Sequence, residues 1–136
     1  RMDDDFDPSA LEEKVRTVFN MPFSYSDLKA KGSQEEVGSS LFDVVSAHYD
    51  GREEENGGDL MRQVERIILL QTLDSLWKDH LLTMDHLKEG IGLRGYGQKD
   101  PLLEYKKEGF LIFKNMMDRF VVDSVEKLFR VQVTTE

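Results

Sequence analysis

Apolar residues recur every three or four positions through most of the second half of the chain, which is the spacing of one face of an α-helix. From Asp59 no proline or glycine interrupts this spacing before Gly90. The pattern predicts one helix of about 31 residues, roughly 45 Å long at 1.5 Å per residue. A second apolar set widens the stripe, so we expect the N-terminal end of this helix to pack against more than one partner. The main stripe is Leu60, Val64, Ile67, Leu70, Leu73, Trp77, Leu81, Met84, Leu87 and Ile91, and the second set is Met61, Ile68, Leu69, Leu76 and Leu82.

A second long helix is predicted after Asp100-Pro101, because aspartate caps a helix start and proline suits the first helical position. It is expected to run to about Arg130, with 131–133 as an extended tail. Four glycines within residues 90–97 predict a loop over Gly90–Lys99. Two long helices joined by a short loop predict an antiparallel hairpin. The inner stripe of the second helix is predicted as Leu102, Tyr105, Gly109, Phe113, Met116, Phe120, Ser124 and Leu128.

The first 58 residues show shorter patterns. Asp7-Pro8 predicts a helix start, and Pro22 a stop. A helical turn is expected around Ser26–Lys31, and Ser33 with Glu36 forms a capping box that opens a further helix. Gly51 and the Asn56-Gly57-Gly58 run mark the probable end of this part. We therefore predict an all-α chain, with a small helical module over 1–58 and a long antiparallel two-helix hairpin over 59–136. The predicted apolar faces of the module are Leu11, Val15, Val18 and Phe19, and then Val37, Leu41, Val44 and His48.

Composition narrows the functional classes. The chain has no cysteine, which excludes disulfides and thiolate metal sites. The net charge is −9, and residues 1–58 carry 14 acidic and 6 basic residues. Because neither half has a basic footprint, no nucleic-acid partner is expected. The sequence opens without an initiator methionine, so we expect a piece of a longer protein.

Few residues suggest chemistry. His80 and His86 are six positions apart, which places them on different helix faces, and no third ligand completes a metal site. Adjacent Asp79-His80 and Asp85-His86 pairs do not face each other on a helix. The glycines of 90–97 follow a predicted helix rather than a strand, so they do not form a nucleotide-binding fingerprint. A hydrolase is therefore disfavoured, no cofactor or metal site is expected in the chain itself, and we expect it neither to bind nor to hydrolyse ATP.

Two aromatic residues stand out. Trp77 lies in the middle of the first long helix, and we expect it to be a structural anchor against other helices. Tyr96 lies between Gly95 and Gly97 at the predicted tip, flanked by Arg94 and Lys99. Two interpretations remain open for it: a ring folded back onto the hairpin, or a contact with a partner, since exposed aromatic residues are enriched at interfaces.

Residues 70–110 closely resemble the C-terminal region of the SecA family, the motor ATPases of bacterial preprotein translocation. The most specific segment is LRGYGQKDP, from Leu93 to Pro101, followed by Glu104-Tyr105-Lys106. The stretch that runs from Leu73-Asp74 through Trp77 to Asp79-His80-Leu81 is similar as well. The resemblance is strong over 59–133, whereas 1–58 resemble the preceding helical wing domain by position more than by motif.

The resemblance implies that residues 59–136 form the two-helix finger of the helical scaffold domain. The tip of that finger contacts the moving preprotein at the cytoplasmic mouth of the SecY channel. The contact residue would be Tyr96, within a tip that also includes Arg94, Gly95, Gly97, Gln98 and Lys99.

The resemblance also concerns the longer protein. It implies coupling to nucleotide-binding domains elsewhere in that chain, which would bind ATP and Mg²⁺, and contact with an anionic membrane surface through that chain. The location would be cytoplasmic, peripheral at the inner membrane. Self-association through the exposed apolar set is a further expectation. The alternative from another class is a free-standing helical-hairpin adaptor for protein–protein interaction.

Overall fold

The computed structural model describes residues 6–94 and 100–132, and all regular structure in these ranges is helical. Helix α1 spans Pro8–Phe19, a short 3₁₀ turn spans Tyr25–Asp27, α2 spans Gln34–Asn56, α3 spans Gly58–Arg94 and α4 spans Pro101–Arg130. The all-α prediction is confirmed. Within the described part of the chain, no helix combines the length and apolar character needed to cross a membrane.

Helix starts follow the predicted capping chemistry. The Asp7 carboxylate accepts from Ser9 N at 3.0 Å, with Pro8 as the first helical residue. Ser33 Oγ accepts from Glu36 N at 3.1 Å, and Asp100 accepts from Leu102 N at 3.0 Å. Each cap satisfies a backbone N–H that the first turn of a helix leaves without a partner.

Two helices extend beyond the glycines at which the sequence predicts a boundary. Helix α2 continues through Gly51 to Asn56, and α3 continues through Gly90 and Gly92 to Arg94. The predicted loop start at Gly90 is therefore wrong. A glycine inside a helix costs only about 1 kcal/mol relative to alanine, which flanking helix-forming residues offset. The break falls at Gly57, whose φ of 90° is open to glycine and strained for other residues.

The described residues form two compact units. The first unit comprises 6–66 together with 125–132, and the second comprises 67–94 together with 100–124. Helices α3 and α4 each contribute residues to both units. The boundary predicted between residues 58 and 59 divides the chain by sequence pattern and not by contacts within compact units. That domain boundary stays a prediction.

The core of the first unit lies between α1, the 3₁₀ turn and α2. Val15, Phe23, Leu28 and Val37 are buried at its centre. The predicted apolar faces of α1 and α2 thus point into one core, as expected for amphipathic helices. Partly buried residues packed around this centre are Leu11, Phe19, Tyr25, Leu41 and Val44.

The second unit is an antiparallel hairpin. His80 of α3 meets Phe113 of α4 with ring centroids 5.7 Å apart, and Met84 lies against Gly109. The residue numbers of the contacting pairs rise along α3 as they fall along α4, so the two helices run antiparallel. A Cβ added at Gly109 would lie 2.9 Å from Met84 Cε, so the glycine allows a close approach at this level.

The seam of the hairpin follows the predicted main stripe of α3 only toward Arg94, where Met84 lies against Gly109 and Ile91 is buried. Nearer the other end of the hairpin it uses a different face of α3. Thr72, Leu76 and His80 are buried there, at 2%, 6% and 8% exposure. Leu70 and Trp77, which the main stripe placed inside, are 61% and 42% exposed. The helix has two apolar faces, and the hairpin buries the one that contains smaller and partly polar side chains. On α4 the predicted stripe is right in part. Gly109, Met116 and Ser124 are buried, whereas Leu102 and Phe113 are 60% and 42% exposed.

Candidate functional site

The candidate site is the hairpin of the second unit together with the segment that joins its helices. Arg94 is the last residue of α3, and Pro101 is the first of α4. The predicted tip contacts Gly95, Tyr96, Gly97, Gln98 and Lys99 lie outside the residues that the structure describes, as does the side chain of Arg94. Their role as a contact surface therefore stays a prediction.

One side of the hairpin carries an apolar groove of about 720 Å³. Trp77 of α3 forms its wall and faces Phe113 and Met117 of α4. Trp77 is 42% exposed in this groove, and its expected role as a structural anchor against other helices stays a prediction. Its ring leans on its own helix neighbour His80, with centroids 5.2 Å apart. The groove is completed by Leu70, Leu73, Asp74, Met116 and Phe120.

The opposite side of the seam is polar. A smaller notch of about 170 Å³ is lined by Asp79, Thr83, Asn115 and Arg119, with His80 and other residues of the seam. The groove and the notch thus differ in the residues that line them, while further large apolar residues, such as Leu82 and Phe110, are exposed outside both. Large apolar surfaces of this kind are uncommon on isolated soluble domains and are typical of surfaces that contact another protein or helix.

His80 lies in the seam of the hairpin. Its ring is buried between Trp77 and Phe113. Within the described ranges, His80 Nδ1 has no hydrogen-bond partner, and the same holds for Ser124 Oγ. His86 is exposed on another face of α3. The regular spacing of four from Thr72 through Leu76 to His80 was the available sequence signal for this seam.

The structure offers no metal chemistry in the residues it describes, where no cluster of three or more His, Asp or Glu is arranged to bind an ion. Electrostatic contacts are instead structural. Lys78 pairs with Asp74 at 3.1 Å on the exposed surface of α3. In the first unit, the Tyr49 hydroxyl donates to Glu65 at 2.5 Å, and Arg62 pairs with Glu65 at 2.7 Å and with Glu53 at 2.6 Å.

The environment of Tyr49 changes its acidity. Burial, followed by the hydrogen bond to Glu65 and the charge of that carboxylate, raises the pKa of Tyr49 well above its usual range. The phenol therefore remains protonated under ordinary conditions and serves as a hydrogen-bond donor. This is a structural role in the first unit.

Fold and site together define an all-helical module whose second unit is an antiparallel hairpin with an open apolar groove. Residues 1–132 match the protein family described as the SecA Wing and Scaffold domain. The chain belongs to this family, which confirms the resemblance noted from the sequence.

Individual relatives agree with the family match. The chain is 46% identical over 132 residues to the protein translocase subunit SecA of Solibacter usitatus, covering 97% of the chain and 14% of that protein. It is 42% identical over 135 residues to the SecA subunit of Syntrophobacter fumaroxidans, covering 98% and 16%. The SecA subunit of Desulfotalea psychrophila is 46% identical over 133 residues, covering 97% and 16%. The chain thus spans 14–16% of the length of these relatives.

Proposed function

We propose that the hairpin acts as the two-helix finger of a SecA-type preprotein translocase. In this proposal, residues 95–99 contact the translocating polypeptide at the mouth of the SecY channel. The full-length protein would bind ATP and Mg²⁺ through nucleotide-binding domains outside this chain and would act at the cytoplasmic face of the bacterial inner membrane. The 136 residues alone would supply the contact and not the ATPase activity.

The observation that carries the proposal is the antiparallel pairing of α3 and α4. The pairing extends from the level of Leu76 and Met116, through His80 and Phe113, to Met84 and Gly109. This pairing brings the end of α3 at Arg94 and the start of α4 at Pro101 to the same end of the hairpin, so both helices lead to the segment proposed as the contact.

Tyrosine suits a contact with a polypeptide of changing sequence. Its ring packs against apolar side chains through dispersion and burial, and its hydroxyl bonds to passing backbone. Gly95 and Gly97 precede and follow it in the sequence, and glycine accepts a wider range of backbone conformations than other residues. The family membership supports carrying this role over to Tyr96, because the segment that includes it is the most specific part of the resemblance.

The test uses the full-length translocase that contains this region, reconstituted with channel-bearing vesicles. We expect Tyr96→Ala to lower the translocation rate several-fold while basal ATP hydrolysis stays within a factor of two. Tyr96→Phe keeps the ring and should lose much less. Lys107→Ala, at an exposed position on α4, is the matched control and should translocate normally. Translocation by Tyr96→Ala at the unsubstituted rate would rule out the working contact.

The adaptor alternative makes a different prediction. A free-standing adaptor would bind its partner through the apolar groove, and its function would survive Tyr96→Ala and fail on substitution of Phe113 or Met117. The finger function therefore depends on Tyr96, whereas the adaptor function depends on the apolar groove, and the two sets of variants distinguish them.

A further inference from the structure

Two arginines hold helix ends together in the first unit. Arg52 of α2 donates from both terminal nitrogens, to Leu128 O in the last turn of α4 and to Val131 O just beyond it. Arg130 of α4 donates to Thr17 O and, at 3.3 Å, to Val18 O, both in the last turn of α1. Each guanidinium thus lies at the C-terminal end of a neighbouring helix.

The chemistry of these contacts is favourable at this position. The last four carbonyls of a helix have no partner within the helix, and the helix dipole places partial negative charge there. A guanidinium has a planar array of donors and can bind two carbonyls at once. Arg52 therefore satisfies acceptors that α4 leaves open, and Arg130 does the same for α1.

An apolar contact lies beside the arginines. The ring of Phe129 is buried and meets Phe19 at 5.1 Å, Tyr49 at 5.1 Å and His48 at 6.1 Å between centroids. The buried centre of the first unit, by contrast, is formed by residues of α1, α2 and the segment between them, and α4 contributes none. Phe129 meets Phe19 at the edge of this centre, so the end of α4 packs against the outside of the buried cluster.

We propose that Arg52, Arg130 and Phe129 form a detachable joint, through which the C-terminal turn of α4 docks on α1 and α2 and can release without unfolding them. The joint combines surface hydrogen bonds from two arginines with one inserted aromatic ring. Release would expose Phe129 and free the chain after Arg130, while Val15, Phe23 and Val37 remain packed. This device goes beyond the proposed function and does not depend on it.

Hydrogen exchange of the intact 136-residue chain tests the joint. Arg52→Ala removes two hydrogen bonds from a charged donor, so we expect exchange in residues 126–131 to accelerate about tenfold or more. Exchange in 8–16 and 34–47, which exclude the residues that contact Phe129 and Arg130, should change by less than about twofold, because the buried cluster there contains no α4 residue. Phe129→Ala should give the same local pattern. Arg52→Lys provides one donor nitrogen in place of two, so its exchange rate in 126–131 should lie between those of the parent and Arg52→Ala.

Arg66→Ala is the matched control, since Arg66 is an exposed arginine of α3 in the same unit, and exchange in 126–131 should stay at the parent rate. Unchanged exchange there in Arg52→Ala would overturn the proposal. Acceleration in 8–16 and 34–47 equal to that in 126–131 would also overturn it, because the end of α4 would then be part of the core rather than a joint attached to it.

Discussion

Leu76 and Trp77 are adjacent on α3, and the structure predicts opposite consequences for truncating them. Leu76 lies in the seam of the hairpin and is 6% exposed, whereas Trp77 lines the open groove and is 42% exposed. Trp77→Ala removes far more atoms than Leu76→Ala. The structure nevertheless predicts that Leu76→Ala destabilises the chain more.

The magnitudes follow from the coverage of each side chain. Phe110, an aromatic residue of α4 outside the groove, is 66% exposed, against 42% for Trp77. Tertiary contacts therefore cover only about a quarter more of Trp77 than of Phe110, roughly 60 Å² of a ~250 Å² residue, which is worth about 1.5 kcal/mol at ~25 cal/mol per Å². Replacing a buried leucine by alanine costs about 2–5 kcal/mol, because a cavity is added to the lost transfer energy.

Urea unfolding followed by circular dichroism compares the two variants with the parent. Equal slopes of free energy against urea are needed before midpoints are converted to stability, since two compact units need not unfold together. In the parent and in Leu76→Ala, fluorescence of the single tryptophan gives a second probe of the hairpin. A loss for Trp77→Ala that equals or exceeds the loss for Leu76→Ala would refute the assignment of the seam.

Two further predictions concern the first unit. Because the pKa of Tyr49 is raised in the folded protein, the phenol of the unfolded chain ionises first, near pH ~10, and the stability that Tyr49 contributes below that pH is lost as pH rises above it. Tyr49→Phe should reduce this alkaline loss of stability in urea titrations from pH ~8 to ~11. An unchanged pH dependence of stability would contradict the expectation. Gly51 lies inside α2 with no atom within 4 Å of an added Cβ, so Gly51→Ala should stabilise by ~0.5–1 kcal/mol. Gly57→Ala, at a φ of 90°, should destabilise, and thermal melts that rank these two variants the other way would contradict both expectations.

Local chemistry explains what the sequence predicts well. Asp7, Ser33 and Asp100 cap the helices they were expected to cap, because a cap depends on residues two or three positions away. The antiparallel pairing likewise follows from two long apolar patterns and a short connection. Proximity in sequence is sufficient for each of these predictions.

The sequence predicts poorly which of two apolar helix faces is buried. Periodicity shows that α3 has two apolar faces, but it does not show which one meets α4. The buried face contains Thr72 and His80 because smaller side chains let the helices approach, while Trp77 remains on the groove side. The arginine contacts had no local signal at all, since Arg52 binds a carbonyl 76 residues further along the chain.

The polar seam has a mechanical consequence. Thr72, His80 and Ser124 occupy buried positions in place of aliphatic side chains. The two helices therefore bury less apolar surface than an aliphatic seam of the same length would bury, and they are held together less firmly. By mass action, any molecule that binds only the paired helices strengthens their pairing. The stiffness of the hairpin is thus an adjustable quantity, set by whatever covers the groove as much as by the two helices themselves.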